Sequence, residues 1–223
     1  MNDGLLLKAL IKVSAGILIV GALLFIPAGD FAWKNGWLLM GLLFVPMVIV
    51  GFIMYFRAPD LLRSRLNAKE QRGAQKQVIG ASALMFVAAF VLAGLNHRFG
   101  WMRFPGGVVA AGAVLFVASY MVYAEVLREN AYLSRTVEIQ ENQKVVDTGL
   151  YGIVRHPMYA ATIVLFLSMA LILDSPGSLV IMLAYIPIIV KRTLDEERAL
   201  MDGLDGYKEY MEKVKYRLVP YVW

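Results

Sequence analysis

The chain has 223 residues, of which 59% are hydrophobic and only 17% are charged, a composition typical of an integral membrane protein rather than a soluble domain. It contains no cysteine, which excludes disulfides, thiolate nucleophiles and zinc–thiolate sites, and its two histidines, His97 and His156, are too few for a polyhistidine metal site. Its formal net charge of +5 would suggest nucleic acid in a soluble protein, but the placement of the basic residues gives a simpler explanation.

Hydrophobic runs long enough to cross a bilayer, which takes about 20 apolar residues, occur at 5–26, 37–56, 78–95 and 107–127. The first is too long for the apolar part of a cleavable signal peptide, so we expect it to be the first span. Two shorter runs, at 158–173 and 177–190, are separated by the helix breaker Asp174-Ser-Pro-Gly177. We interpret them as a tight helical hairpin that crosses the membrane, with a re-entrant pair as the alternative. The predicted fold is an all-α polytopic membrane bundle of about six spans.

The basic residues divide unevenly between the two sides that these runs define. If every run crosses the membrane, all but three of the 22 Lys and Arg residues lie on the side of the two termini. The exceptions are Lys34, Arg98 and Arg103. By the positive-inside rule, we predict a multi-pass protein with both termini in the cytoplasm. The positive charge is therefore mostly a topology signal, and we expect membrane lipids, not nucleic acid, as partners.

Two further stretches are expected on the cytoplasmic side. Residues 58–77 are rich in Arg and Lys, which favours a solvated loop against anionic headgroups, with a lid over a substrate groove as the alternative. After residue 190, apolar residues recur at spacings of three and four, which predicts an amphipathic helix on the membrane surface or on the cytoplasmic loops. These residues are Leu200, Leu204, Tyr207, Met211 and Val214. We expect Gly203 and Gly206 to break or bend this helix.

A dense polar cluster lies at the mouth of the predicted hairpin, in Gly149-Leu-Tyr-Gly-Ile-Val-Arg-His-Pro-Met-Tyr159. Its glycines permit tight turns, and Pro157 suits the first turn of the following helix. Arg155 and His156 precede that helix start, where exposed backbone N–H groups favour anionic or polar ligand atoms. The alternative is an interfacial cap in which Arg155 faces lipid headgroups and Tyr159 acts as an anchor.

A second polar cluster, Arg192-Thr-Leu-Asp-Glu-Glu197, directly follows the last run. Arg192 and Glu196 share a helix face, and the simplest interpretation is a surface ion pair worth at most about 1 kcal/mol. However, ionisable groups at the edge of a membrane run are costly and are therefore candidates for function. A short hairpin returns the chain to the side it left, so we expect the two clusters to lie close together.

Two other polar residues have structural interpretations. Glu125 precedes Arg128 by three residues near the end of the fourth run, which predicts a structural ion pair. His97 is expected to be a loop histidine on the membrane face opposite the two clusters.

Three stretches together resemble the isoprenylcysteine carboxyl methyltransferase family, which is related to the membrane phospholipid methyltransferases. They are Gln143-Lys-Val-Val-Asp-Thr-Gly-Leu-Tyr-Gly-Ile-Val-Arg-His-Pro-Met-Tyr159, Arg192-Thr-Leu-Asp-Glu-Glu197 and Tyr216-Arg-Leu-Val-Pro220. The most specific part is the Arg-His-Pro-x-Tyr motif joined to a downstream Glu-Glu. The resemblance implies a membrane-embedded methyltransferase dependent on S-adenosyl-L-methionine. It implies one membrane domain, 1–223, with a four-helix part at 1–127 and a cofactor-binding and catalytic part at 128–223. A tunnel from the bilayer would admit a lipid-linked substrate.

The resemblance also implies roles for individual residues. Arg192 would be the catalytic residue that contacts the substrate, and Glu196 the acidic ligand of the cofactor. The other implied cofactor-binding residues are Gln143, Lys144, Val145, Val146, Tyr151, His156, Pro157, Met158 and Tyr159. The chain departs from the family at Gln143, where some members have histidine, and at Ala160-Ala161, where a glycine often lies two residues after the motif tyrosine. It has no Gly-x-Gly, so a Rossmann-type cofactor loop is not expected.

The expected reaction is O-methylation of a carboxyl group on an isoprenylcysteine-like, lipophilic or lipidated acceptor. A carboxylate is already ionised at neutral pH, so it needs no general base. Phospholipid N-methylation is an alternative in which Glu197 is the candidate base. A sterol-reductase-like NADPH enzyme has a similar Arg-His-x-x-Tyr signature, but Pro157 fits the methyltransferase form better. A transporter or scaffold predicts polar residues near mid-bilayer, and the runs have almost none. The sequence identifies neither the acceptor nor the oligomeric state.

Overall fold

The computed structural model describes residues 3–66, 73–130, 132 and 143–223, and its regular structure within these ranges is helical, which confirms the predicted all-α fold. The N-terminal part consists of four long helices and one short one: α1 (Asp3–Ala28), α2 (Lys34–Arg57), α3 (Pro59–Leu66), α4 (Gly73–Phe99) and α5 (Val108–Glu129). The C-terminal part begins with a 3-10 turn, Gly149–Gly152. It continues as α6 (Pro157–Ile172), α7 (Pro176–Met182), α8 (Tyr185–Gly203) and α9 (Tyr207–Lys213).

Five helical segments in the described ranges are long and apolar enough to cross a membrane. They are Gly4–Ala28, Lys34–Arg57, Lys76–Phe99, Val108–Glu129 and the stretch Pro176–Gly203, which combines α7 and α8. A sixth apolar helix, α6, has 16 residues and so a length of about 24 Å, somewhat less than a bilayer core of about 30 Å. The chain is therefore a multi-pass membrane protein, as predicted. The cytoplasmic location of its termini stays a prediction.

Two glycines allow the long helices to approach closely. A Cβ atom at Gly94 of α4 would lie 2.6 Å from the carbonyl oxygen of Leu24 in α1. A Cβ atom at Gly112 of α5 would lie 2.7 Å from the Cβ atom of Leu171 in α6. These contacts bring α1 against α4 and α5 against α6, around a core that includes Phe90, Phe116 and Met169.

The predicted loop at 58–77 is partly helical. Residues 59–66 form α3, and α4 already begins at Gly73, while residues 67–72 lie outside the described residues. Leu62 of α3 is buried, and the Lys12 side chain donates to the carbonyl of Leu66. Arg65 lies over the ring of Tyr123 with 5.4 Å from guanidinium carbon to ring centroid. The loop prediction is therefore wrong for α3, because tertiary contacts with α1 and α5 stabilise a helix too short to be stable alone.

The prediction that His97 lies in a loop is also wrong, because it occupies the last turn of α4. A basic side chain there interacts favourably with the helix dipole. The predicted structural pair of Glu125 and Arg128 is confirmed, with Arg128 Nε donating to a Glu125 carboxylate oxygen at 2.8 Å.

The predicted breaker between the last two apolar runs separates α6 from α7. Asp174 has a φ of +53°, and the Ser175 hydroxyl caps α7 by accepting from the Ser178 amide. The second run is two helices and not one. Pro187 has no N–H to donate to the carbonyl of Leu183, which accepts from Ile186 instead. The helix is thus interrupted between α7 and α8.

The predicted amphipathic stripe is divided between two helices. α8 ends at Gly203, and α9 follows Gly206, whose φ is +80°. The stripe residues nevertheless form one apolar cluster, which we call the α9 cluster: Tyr207, Tyr210, Val214, Leu200, Leu204, Met201, Met211 and Val145.

Candidate active site

The turn before α6 is fixed by a carboxylate. Gly149 has a φ of +53°, a conformation that favours glycine. The Leu150 amide then donates to a carboxylate oxygen of Glu129, at the end of α5, at 3.0 Å. The first residues of the turn are thereby attached to the preceding membrane helix.

The C-terminal segment holds the residues that follow this turn. The amides of Arg155 and His156 donate to the carbonyls of Tyr216 and Arg217, each at 2.9 Å. Pro157 is the first residue of α6, where its missing N–H costs nothing. Arg155 and His156 therefore have fixed positions at the helix start.

Glu197 is the centre of the polar network. Its side chain is only 2% exposed. One carboxylate oxygen accepts from Arg155 Nε at 2.7 Å and lies 3.2 Å from His156 Nε2. The other accepts from Arg217 Nε at 2.8 Å. This carboxylate thus connects the loop before α6, α8 and the C-terminal segment.

Arg155 is buried and not turned toward lipid headgroups. Besides Glu197, its guanidinium donates to the carbonyls of Val214 at 2.8 Å and Lys215 at 2.9 Å. The alternative of an interfacial cap is therefore wrong for this residue. A buried guanidinium requires such partners to offset the loss of hydration.

Tyr159 joins the two members of the second cluster. Its hydroxyl donates to a carboxylate oxygen of Glu196 and accepts from Arg192 Nε at 2.8 Å. Arg192 and Glu196 thus share a helix face, as predicted, and the tyrosine of the first cluster bridges them. The surface ion pair considered from sequence is replaced by a partly buried, three-member network.

Aromatic contacts support the same arrangement. The rings of His156 and Tyr159 stack at 14° with centroids 5.6 Å apart. The guanidinium carbon of Arg192 lies 5.8 Å from the centroid of the Tyr159 ring. His156, Tyr159, Arg192 and Glu196 are therefore brought together, which agrees with the expected proximity of the two clusters.

Tyr151 lies next to this network in the 3-10 turn. Its carbonyl accepts from the Tyr210 hydroxyl at 2.7 Å, and its own hydroxyl accepts from Asn130 Nδ2 at 3.0 Å. Burial raises the pKa of Tyr151 to about 12. The side chain therefore stays neutral at physiological pH.

The four residues Gln143, Lys144, Val145 and Val146 lie in a segment without regular secondary structure. Val145 packs in the α9 cluster. Within the described ranges, the amides of Lys144, Val145 and Val146 make no hydrogen bond. Their N–H groups remain available to a bound molecule or to solvent. Met158 is half-buried in the first turn of α6.

Sequence reasoning missed the structural role of Glu197, which it considered as a hydrogen-bond acceptor for a ligand and as a base. A signal was present, because α8 buries Tyr185, Ile189, Thr193 and Glu197 at a spacing of four. Tyr207 was noted only as a stripe residue. Its hydroxyl is buried and has no hydrogen-bond partner in the part of the chain that the structure describes. Burial, followed by the charges of Glu197 and Glu196, raises the pKa of Tyr207.

Residues 110–202 match the model of the isoprenylcysteine carboxyl methyltransferase (ICMT) family. The predicted resemblance to the ICMT family is confirmed. The ICMT match begins in α5, contains both polar clusters and ends in α8. It therefore starts earlier than the predicted resemblance and leaves out the stretch at 216–220. The ICMT match implies methyltransferase activity.

A solved structure of an ICMT is also similar. It is the eukaryotic intramembrane Ras methyltransferase ICMT, with a TM-score of 0.60 and 17% sequence identity, over 96% of this chain and 77% of that chain. At this identity the similarity shows the fold alone. No curated protein sequence matches the chain.

Proposed function

We propose that the chain is a membrane methyltransferase that uses S-adenosyl-L-methionine to O-methylate the carboxyl group of a lipophilic, isoprenylcysteine-like acceptor. The network of Tyr159, Arg192 and Glu196 carries this proposal, because it lies where the apolar part of α8 ends. A polar cofactor and an acceptor with its tail in the bilayer would meet there. In this proposal, residues 1–127 are the membrane scaffold and residues 128–223 bind the cofactor and catalyse.

The side chains present fit the groups of the cofactor. Oε2 of Glu196 accepts from Tyr159, whereas its Oε1 has no partner among the described residues and suits an ammonium group. The buried hydroxyl of Tyr207 suits a carboxylate. The unpaired amides of Lys144, Val145 and Val146 suit the edge of a purine. When bound, the cofactor supplies an electrophilic methyl group on a sulfonium.

The remaining implied contacts form part of the same proposal. They are Gln143, Tyr151, His156, Pro157, Met158 and Tyr159. Tyr151, His156 and Tyr159 are buried and hydrogen-bonded, so they would present fixed surfaces to the cofactor and keep water out.

Arg192 would orient the acceptor carboxylate. Its Nε is held by Tyr159, and the planar guanidinium is suited to a carboxylate. Partial burial strengthens this attraction relative to bulk water. The chain would thus contribute chiefly by positioning one carboxylate oxygen for in-line attack.

The surroundings of Glu197 favour a carboxylate acceptor over an amine. Phospholipid N-methylation requires a base to take a proton from the amine, and Glu197 was the candidate. It accepts from Arg155 and Arg217 and lies beside His156. Protonation would remove the charge that these buried groups require, so Glu197 is poorly suited to be that base.

The proposal is tested by measuring transfer of labelled methyl from the cofactor to an S-farnesylcysteine analogue in detergent micelles. We expect Arg192→Ala to lower kcat/KM about 100-fold because the carboxylate loses its orientation. The matched control is Arg198→Ala, on the same helix, because the Arg198 side chain is 73% exposed. Unchanged turnover in Arg192→Ala, or an equal loss in Arg198→Ala, would refute the role of Arg192. Failure of the wild-type protein to methylate any carboxyl acceptor would refute the proposed reaction.

A further inference from the structure

A pocket of about 330 Å³ lies at the ends of the helices opposite the candidate active site. It forms where α2 begins, where α4 and α6 end, and beside the loop before α5. Its lining residues are Asp30, Ala32, Trp33, Lys34, Asn35, Asn96, His97, Arg103, Leu173 and Asp174. Neither the ICMT match nor the proposed reaction gives this pocket a role.

The cations of the pocket are unpaired, while its carboxylates are engaged. Within the described ranges, Lys34 and Arg103 have no ion-pair or hydrogen-bond partner. Asp30 accepts from the Ala32 amide at 2.8 Å and lies 2.9 Å from His97 Nε2. Asp174 accepts from the Phe104 amide at 2.8 Å. Among the described residues, Lys34 and Arg103 are therefore the charged side chains of the lining that are left without a partner.

The walls of the pocket are built by buried hydrogen bonds. Asn96 is 5% exposed, and its side-chain amide donates to the carbonyls of Met102 at 2.8 Å and Asp174 at 3.1 Å. The ring of His97 stacks on Trp33 at a centroid distance of 4.8 Å. Two side chains that line the pocket, Asn96 and His97, are thus held in place by other residues of the chain.

Four exposed aromatic residues lie within two positions of the pocket lining in sequence: Phe31, Trp37, Phe99 and Trp101. Aromatic side chains of membrane proteins concentrate at the depth of the lipid headgroups. The amides at the start of α2, which has no side-chain cap, add partial positive charge at this depth. The groups that meet here therefore match a phosphate near a membrane surface.

We propose that this pocket binds the phosphate group of a phospholipid, with Lys34 and Arg103 as its ligands. The phosphate lies between the two cations, and the acyl chains extend along the apolar surface of the neighbouring helices. Free inorganic phosphate has the same charge chemistry and is the other possible source of the ligand. The site is separate from the proposed methyl transfer and does not depend on it.

Native mass spectrometry of the full chain released from maltoside micelles tests this proposal. The probes are phosphatidylglycerol, phosphatidylethanolamine, inorganic phosphate and diacylglycerol, which has the same chains without phosphate. We expect at least one phospholipid to bind in preference to diacylglycerol. Lys34→Gln combined with Arg103→Gln should weaken that binding about tenfold or more.

Arg98→Gln is the matched control, because Arg98 is on the same membrane face but packs on Gly29 and does not line the pocket. Its phospholipid binding should equal that of the wild type. Thermal unfolding of each variant checks that it is folded, and the single variants Lys34→Gln and Arg103→Gln replace the double variant if it is not. Binding of inorganic phosphate with the same dependence on Lys34 and Arg103 would support the site with free phosphate as ligand. Equal binding of diacylglycerol, no binding of any phosphate-bearing probe, or phospholipid binding unchanged in the variants would overturn the proposal.

Discussion

Replacement of Glu197 by glutamine tests the centre of the polar network. The substitution keeps the shape of the side chain but removes its charge and one of its two acceptor oxygens. In the native structure, both oxygens are occupied by donors from Arg155, His156 and Arg217. In Glu197→Gln, the new NH₂ group must face one of these donors, so at least one hydrogen bond is lost and two arginines lose their counter-charge.

The size of the effect follows from the burial of each partner. Loss of one member of a buried ion pair costs about 3–5 kcal/mol, because the remaining charge stays buried. Arg155 retains its bonds to the carbonyls of Val214 and Lys215, and the Arg217 side chain is 28% exposed and can be hydrated. We therefore expect the lower end, about 3 kcal/mol. For a chain of this size, that corresponds to a fall in Tm of about 6–12 °C.

Thermal unfolding in detergent micelles, followed by tryptophan fluorescence, measures this change. Glu209→Gln is the matched control, since Glu209 is exposed on α9 and the same charge is removed there. The control should unfold within about 1 °C of the wild type, as exposed charges contribute little. If Glu197→Gln unfolds at the same temperature as the control, the three donors do not depend on this carboxylate and our account of the site is incorrect.

Three further outcomes are expected. Tyr159→Phe removes the hydroxyl that joins Arg192 and Glu196 of α8. It should lower the rate of methyl transfer about tenfold while lowering the free energy of unfolding by only about 1 kcal/mol. An unchanged rate of transfer would contradict the network. Gly94→Ala should lower the free energy of unfolding by about 2 kcal/mol, because the new Cβ would lie 2.6 Å from the carbonyl oxygen of Leu24. Gly80→Ala on the same helix has open space and should be neutral or stabilising. Equal effects of the two variants in thermal unfolding would refute the close approach of α4 to α1. Burial raises the pKa of Tyr151 from 10.0 to about 12, so its contribution to stability is complete below pH 10 and declines as the pH rises toward 12. The Tm of the wild type should therefore fall over this pH range, and the Tm of Tyr151→Phe should fall less. Identical pH profiles of the two proteins would count against the burial of Tyr151.

The four long helices of the N-terminal part and their order were predictable because long apolar runs need little tertiary information. The breaker at Asp174 and the closeness of the two polar clusters also follow from the sequence, since a hairpin returns to the side it left. α3 was missed because its helix depends on contacts of Leu62 and Arg65 with other helices. His97 was placed in a loop because a polar side chain ends an apolar pattern even where the helix continues toward a partner such as Asp30.

The function of the amphipathic stripe after residue 190 could not be predicted from its periodicity. An apolar helical face fits a membrane surface as well as a protein surface, and the sequence left both possibilities open. In the structure the stripe residues pack on one another across α8 and α9, with Tyr207, Tyr210 and Val214 buried. This packing fixes the segment that follows α9.

That segment supplies the Arg217 side chain to Glu197 and the carbonyls that receive the guanidinium and the amide of Arg155. Arg217 lies outside the ICMT match at 110–202. Loss of one donor from a buried carboxylate is destabilising. The donor Arg217 belongs to the segment that follows α9, although α9 itself contributes no side chain to the carboxylate. The apolar face of α9 therefore supports the candidate active site indirectly, and the network at Glu197 includes a residue outside the stretch that matches the family.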